Sequence, residues 1–305
     1  MSSEFSSEPM GILVLNKCAG VTSHDMVSRC RKLFSTRKIG HTGTLDPMAT
    51  GVLVILVGRA VKASEYLTEH DKAYVCTMRL GLETDTEDVT GTVLSRSDDI
   101  PGEDRVLEKI GEFTGEITQI PPMYSALKVN GRKLVDLARR GIEVEREPRK
   151  VRIGKIEAGR LSEDTYRLYV ECSKGTYIRT LCADIGRALG CGAAMGSLER
   201  ISSGAYTLDQ SVTAEELEGM APEERTAALL PVETAFADLP AVRLDPKRAA
   251  EIRNGMKPEI GYTGPEPGEG SLVTLFEDGR FFALGRVLQC GEGTMKIKQE
   301  KLFVL

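Results

Sequence analysis

The chain lacks tryptophan and carries only three histidines and 5% aromatic residues in 305 positions. Histidines so few, with no ligand spacing around them, leave no recognisable zinc motif, and no metal is expected. Its seven cysteines (18, 30, 76, 172, 182, 191 and 290) are odd in number and form no Cys-x-x-Cys pair. Neither a metal knuckle nor a disulfide framework follows. They read as reduced core thiols, which points to the cytoplasm. Long apolar runs are missing as well: the longest, Val52 to Val57, has six residues where a membrane span needs about 20. The first nine residues are polar, without the basic and apolar stretches of a secretion signal, and read as a frayed tail.

What is present suffices for a core. Apolar residues make up 41% and charged residues 28%, and the length suits two domains or one large domain with an appendage. A net charge of −5 argues, taken alone, against a nucleic-acid partner. The average conceals an asymmetry. Residues 126–155 hold ten Lys/Arg against four Asp/Glu, whereas residues 205–240 hold eight acids against Arg225 alone. Five further bases and no acid lie between Val27 and Lys38. Most charge runs are solvated faces, yet two separate basic segments are also what a polyanion would need.

Hydrophobic spacing predicts a strand over Gly11–Leu15, then a helix capped by Ser23 with Met26, Val27, Cys30, Leu33 and Phe34 on its inner side. A loop from Ile39 to Gly51 precedes the strand Val52–Val57, a helix from Ala60 to Leu67 and a strand from Lys72 to Leu80. Glu83 to Thr92 reads as an acidic turn and Arg105 to Phe113 as a helix. Asn130-Gly131 signals a turn before a basic helix that Gly141 stops. Arg149–Ala158 and Thr165–Cys172 suit a hairpin, Thr176–Leu189 a helix, and Thr213–Leu230 an acidic helix with Thr213 and Glu216 as a capping box. Pro231 to Pro240 reads as a linker. Beyond it come a helix (Pro246 to Asn254) and short strands alternating with turns, enough for a small β module.

The informative segment is Gly40-His41-Thr42-Gly43-Thr44-Leu45-Asp46-Pro47-Met48-Ala49-Thr50-Gly51. Pro47 disfavours helical geometry at Asp46, so the carboxylate projects from a defined loop. The ordinary reading of Asp-Pro is a turn initiator. A phosphate loop would end in Gly-Lys-Ser/Thr, and Thr50-Gly51 supplies no such lysine.

GHTGTLDPMATGVL resembles the catalytic loop of the TruB-type tRNA pseudouridine synthases. Further segments are similar to that family in its own order: GILVLNKCAGVTSHD, DKAYVCTMRLGLETDTEDVTG, PPMYSALKVNGRKLVDLARRGIEVERE, and SKGTYIRTLCADIGRALGCGA followed by SLERISSGAY. The resemblance spans about residues 10–205. It implies an α+β fold, a mixed and mainly antiparallel sheet flanked by helices, with a small β-rich PUA-like module at the C-terminal end. The divisions it suggests are a tail (1–9), a catalytic domain (10–238) with a basic insertion (about 124–152), and the C-terminal RNA-binding module (239–305).

It also implies roles. Asp46 falls at the family's nucleophile, and Arg179 at its ion-pair partner, which offsets the cost of burying the carboxylate. Tyr74 matches the tyrosine that stacks on the flipped uracil and relays the C5 proton, while His41, Tyr177 and Leu198 match other base contacts. Seen without the motif, Tyr74 and Leu198 would be core, Arg179 a helix-surface arginine, and His41 an exposed loop residue beside Gly40. The implied reaction converts the T-loop uridine of tRNA, conventionally position 55, to pseudouridine without any cofactor. The expected partner is the tRNA T-arm stem-loop, with no membrane, no obligate protein partner and a monomeric chain. The competing reading is a non-catalytic RNA-binding or tRNA-folding chaperone on the same fold. A nucleoside hydrolase or transferase would also use a carboxylate at C1′, but it has no use for the basic insertion.

Overall fold

In the computed structural model, which describes residues 8–129, 131–262, 267–291 and 293–304, β1 (Gly11–Lys17) leads into α1 (Ser23–Leu33). The strands β2 (Ile39–His41) and β3 (Thr50–Val57) bracket the Asp46 loop. A 3-10 turn (Gly58–Ala63) and α2 (Ser64–Leu67) precede β4 (Lys72–Leu80), and β5 (Leu82–Thr84) with β6 (Val93–Arg96) forms a separate ribbon. Next come α3 (Glu103–Gly111), β7 (Gly115–Gln119), the small hairpin β8 (Lys128–Val129) and β9 (Arg132–Lys133), and α4 (Leu134–Ala138). The hairpin β10 (Arg149–Arg160) and β11 (Thr165–Cys172) is followed by α5 (Ile178–Leu189) and β12 (Ala193–Ser203). Short elements β13 (Tyr206–Thr207), β14 (Val212–Thr213), α6 (Ala214–Gly219) and α7 (Pro222–Ala227) come next. The C-terminal part holds β15 (Ala241–Leu244), α8 (Pro246–Arg253), β16 (Glu259–Gly261), β17 (Leu272–Glu277), β18 (Arg280–Gly291) and β19 (Thr294–Leu302).

The main sheet runs β14-β1-β3-β12-β4-β11-β10-β7, with β2 added to β3 and β13 to β12. Its pairings are antiparallel except β1–β14 and β3–β12. The fold is therefore α+β with a mixed, mainly antiparallel sheet. The strand β3 is apolar at every position from Val52 because both of its faces are covered. Its side chains alternate between two cores. Leu53, Ile55 and Val57 join Leu13, Leu15, Met26 and Ile185 beneath α1 and α5. Val52, Val54 and Leu56 join Ile12, Val14, Phe236, Phe281 and Phe303 on the opposite face. The period of two along a strand divides one sequence run between two clusters. The second cluster welds the C-terminal sheet (β15-β17-β18-β19-β16) to the first, with Phe281 and Phe303 rings 5.3 Å apart.

Several sequence expectations are corrected. Thr22, not Ser23, caps α1: its hydroxyl accepts from the Asp25 amide at 3.1 Å while Asp25 receives the Thr22 amide at 2.8 Å. Ser23 instead turns inward. The acidic stretch from Thr213 breaks into α6 and α7, because Pro222 cannot continue a helix begun at Ala214. The expected linker contains a 3-10 turn (Val232–Phe236) whose Val232, Ala235 and Phe236 are buried. The strand β12 was not anticipated at all. Gly131 takes a left-handed φ of +78° between paired β8 and β9, while Asn130 and the tail residues 1–7 lie outside the described residues. No helix among the described residues is long and apolar enough to cross a membrane.

Gly51 must be glycine. Its φ is +98°, and a Cβ there would lie 2.2 Å from the Arg200 carbonyl oxygen. Gly51→Ala is expected to cost on the order of 2–3 kcal/mol in urea unfolding. Gly111, near the end of α3 with nothing within 4 Å of such a Cβ, serves as the control. Gly111→Ala should be neutral or stabilise by up to about 1 kcal/mol.

Candidate active site

The strand β3 shares one edge between two partners. Near its start Thr50 and Gly51 pair with Glu199 and Arg200 of β12; near its end Ile55, Leu56 and Val57 pair with His41, Gly40 and Ile39 of β2. Between them the edge is open, and there the Asp46 loop leaves the sheet. The freed edge carbonyls find partners. The Thr42 amide donates to Val54 O at 3.2 Å, and the Arg200 side chain donates through Nε to Val52 O at 2.7 Å.

The loop is held from several sides. Ser23 Oγ accepts from the Leu45 amide at 2.9 Å and donates to the Leu45 carbonyl at 3.2 Å. The Gly20 amide donates to Pro47 O at 2.8 Å. Beneath it the fully buried Lys17 directs Nζ at three carbonyls: Ala49 at 2.6 Å, Cys18 at 2.8 Å and Pro47 at 3.2 Å. Burial pulls the Lys17 ammonium below its usual range, and the Asp46 charge is among those opposing that shift. Three carbonyl acceptors allow a buried ammonium to replace most of its lost hydration.

Asp46 is 34% exposed at its side chain, whereas Arg179 is 5% exposed. Arg179 Nε stands 2.9 Å from Asp46 Oδ2 and its Nη2 3.3 Å from Oδ1, a two-point contact. The guanidinium is fixed further by Thr86 O at 2.9 Å and Tyr124 O at 2.8 Å, with Asp88 Oδ2 at 3.9 Å. Its place on the first turn of α5 buries it, contrary to the surface position that a helical arginine ordinarily takes. Asp88 is a second carboxylate beside Arg179 that sequence reasoning passes over. Its Oδ1 accepts from Thr86 Oγ1 at 3.0 Å and the Thr90 amide at 2.9 Å. The only sequence trace was an aspartate with threonines two positions to either side. Beside it Glu87, at a left-handed φ of +64°, accepts from Thr180 Oγ1 at 2.6 Å and so docks the acidic turn on α5.

Tyr74 and Leu198 are buried in one cluster with Leu45 and Ile178. They lie on neighbouring strands, Tyr74 opposite Arg200 and Leu198 opposite Cys76. Burial raises the Tyr74 phenol above its usual range; the Arg200 guanidinium opposes that shift, and Asp46 adds to it. Tyr177 caps α5 and is likewise raised by burial, with Ser125, Arg149 and Arg179 opposing. Gln119, buried at the end of β7, accepts from the Tyr177 amide at 3.1 Å and donates to its carbonyl at 3.2 Å. His41 is half-buried rather than exposed. Its Nδ1 accepts from the Gly43 amide at 3.3 Å, so the neutral ring carries its proton on Nε2. Asp46 and Arg179 are in contact, the Asp46 charge reaches both Tyr74 and Tyr177, and the Arg200 charge reaches both Tyr74 and His41.

The mixed, mainly antiparallel sheet and the loop aspartate paired to a buried arginine are what the resemblance to the pseudouridine synthases implies. Residues 31–178 match the TruB family pseudouridylate synthase N-terminal domain, and residues 179–237 the tRNA pseudouridylate synthase B C-terminal domain. The tRNA pseudouridine synthase B of Aromatoleum aromaticum is 41% identical over 95% of this chain and 92% of that one. The enzyme of the same name from Dechloromonas aromatica is 45% identical over 90% of each. Among solved structures, an H/ACA RNP bound to a substrate RNA containing 2′-deoxyuridine superposes with a TM-score of 0.72 at 26% identity, covering 98% of this chain and 86% of that one. A Cbf5-Nop10-Gar1 complex gives 0.72 at 27%, over 97% and 85%. The chain belongs to the TruB family of pseudouridylate synthases and is an isomerase.

Burial, then the Arg200 charge, holds the His41 imidazole below its unfolded value of 6.5. A depressed histidine stabilises the fold fully above that value and loses the contribution as pH falls through the lower folded one. His41→Asn should therefore flatten the decline in melting temperature between about pH 7 and pH 5. Calorimetry across that range checks it; an unchanged slope contradicts it.

Proposed function

We propose that this chain converts the T-loop uridine of tRNA, conventionally position 55, to pseudouridine in the cytoplasm, acting as a monomer without a protein partner. The observation that carries the reading is the half-open Asp46 carboxylate gripped at two points by buried Arg179. A purely binding protein has no need of an acid so held. The isomerisation breaks the bond from uracil N1 to C1′, turns the base, joins C5 to C1′ and moves the C5 proton, with no net oxidation and no cofactor. Asp46 is the nucleophile. Arg179 keeps it oriented, tied at the same time to the acidic turn by Thr86 O and to the insertion by Tyr124 O. Tyr74 stacks on the extruded uracil and relays the C5 proton, while Leu198, Tyr177 and His41 form the remaining pocket wall.

The basic insertion grips the RNA. Lys128, Arg132, Lys133 and Arg140 line an open cleft of about 520 Å³. None of them, nor Arg139, has a carboxylate within ion-pair distance among the described residues. By contrast, Arg29 of the earlier basic segment is spent on Glu218 at 2.9 Å and Glu215 at 3.4 Å. The acidic stretch therefore neutralises a surface of the protein itself. Residues 239–305, with the sheet that begins at Ala241, serve as a PUA-like RNA-binding module.

Two sets of variants test this. Asp46→Asn should keep fold and T-arm affinity yet make no detectable pseudouridine by carbodiimide labelling and primer extension; product from the pure variant would remove Asp46 from the chemistry. Changing Arg132, Lys133, Arg139 and Arg140 together to Gln should weaken T-arm binding and flatten its log–log salt dependence by up to about 0.7–0.9 per lost phosphate contact. Turnover with bound substrate should change far less. A salt slope equal to that of the unaltered protein would move the RNA site elsewhere.

A further inference from the structure

Arg200 is the bulkiest of the fully buried side chains, 1% exposed, and no carboxylate lies within 4.0 Å of it among the described residues. A buried guanidinium without a counter-charge is costly. Its partners are two carbonyls at opposite ends of the Asp46 loop, Val52 O through Nε at 2.7 Å and Gly43 O through Nη2 at 3.1 Å. The approach at Gly43 is close: a Cβ there would lie 3.3 Å from Nη1, and the guanidinium would have to give by a few tenths of an ångström. In the sheet Arg200 stands between Gly51 on one side and Tyr74 on the other. One residue thus touches both ends of the loop and faces the tyrosine across the strand pair. The groups around it, His41, Lys72, Lys17 and Tyr74, all feel its charge, and all are cationic or neutral.

We propose that Arg200 is a positioning residue for the isomerisation: by holding the Gly43 and Val52 carbonyls from the strand position opposite Tyr74, it sets the nucleophile loop and the phenol at the spacing that lets both engage one uracil. The inference rests on the roles given above to Asp46 and Tyr74. A simple plug for the Val52 carbonyl would need only one donor. The fork shape is what reaches both ends of the loop, and a lysine cannot reproduce it.

The test uses the full chain and a T-arm transcript carrying 5-tritiated uridine. Single-turnover tritium release, RNA affinity and melting temperature are measured for Arg200→Gln and Arg200→Lys. Arg200→Gln should slow release by about 100-fold, the scale of losing one preorganised donor, with affinity within about threefold of the unaltered protein. Arg200→Lys, which keeps the charge and one hydrogen bond, should recover about tenfold of that loss. If Arg200→Gln does not fold, Arg200→Lys decides alone: a slowed rate with affinity and melting retained supports the assignment. A normal rate in either variant overturns it, and so does a rate loss matched by equal losses of affinity and melting temperature. Absence of tritium release from the unaltered protein would instead overturn the pseudouridine reading itself.

Discussion

The burial of β3 on both of its faces shapes the whole site. The strand β3 gives every side chain from Val52 to Val57 to one of two cores. Its only access to solvent and substrate is along its edge, between the end of β2 and the start of the β12 pairing. The Asp46 carboxylate rides on a loop that leaves this gap, and the contacts that hold the loop come from elsewhere in the chain.

Three cations supply those contacts in two ways. Arg179 holds the carboxylate itself, while Lys17 and Arg200 hold the backbone through its carbonyls. Carbonyl oxygens solvate a buried cation without cancelling its charge. Arg179 is also a junction. Its remaining donors reach the acidic turn at Thr86 and the base of the insertion at Tyr124. The base of the insertion and the Asp46 carboxylate are thereby held by one guanidinium.

The C-terminal sheet is not tethered loosely. Phe281 and Phe303 pack on Phe236 against the far side of β1 and β3. The two sheets share one core.

Local signals carried much of this. The glycines around an Asp-Pro pair, the six-residue apolar run and the basic block after Tyr124 are legible because each depends on residues adjacent in the chain. The run of motifs from Gly11 to Tyr206 likewise points to the family. What stayed hidden depends on partners far away in sequence. The strand β12 reads AAMGSLERISS, with no clean alternation, and becomes a strand because β3 and β4 offer it an edge on each side. Pro231 to Pro240 carries the composition of a linker, yet the aromatic residues of β18 and the C-terminus bury it. Asp88, Lys17 and Arg200 are ordinary polar residues in the sequence. Only tertiary structure makes them a second carboxylate and two buried cations, because burial and hydrogen-bond partners are properties of what folds against a residue rather than of the residue itself.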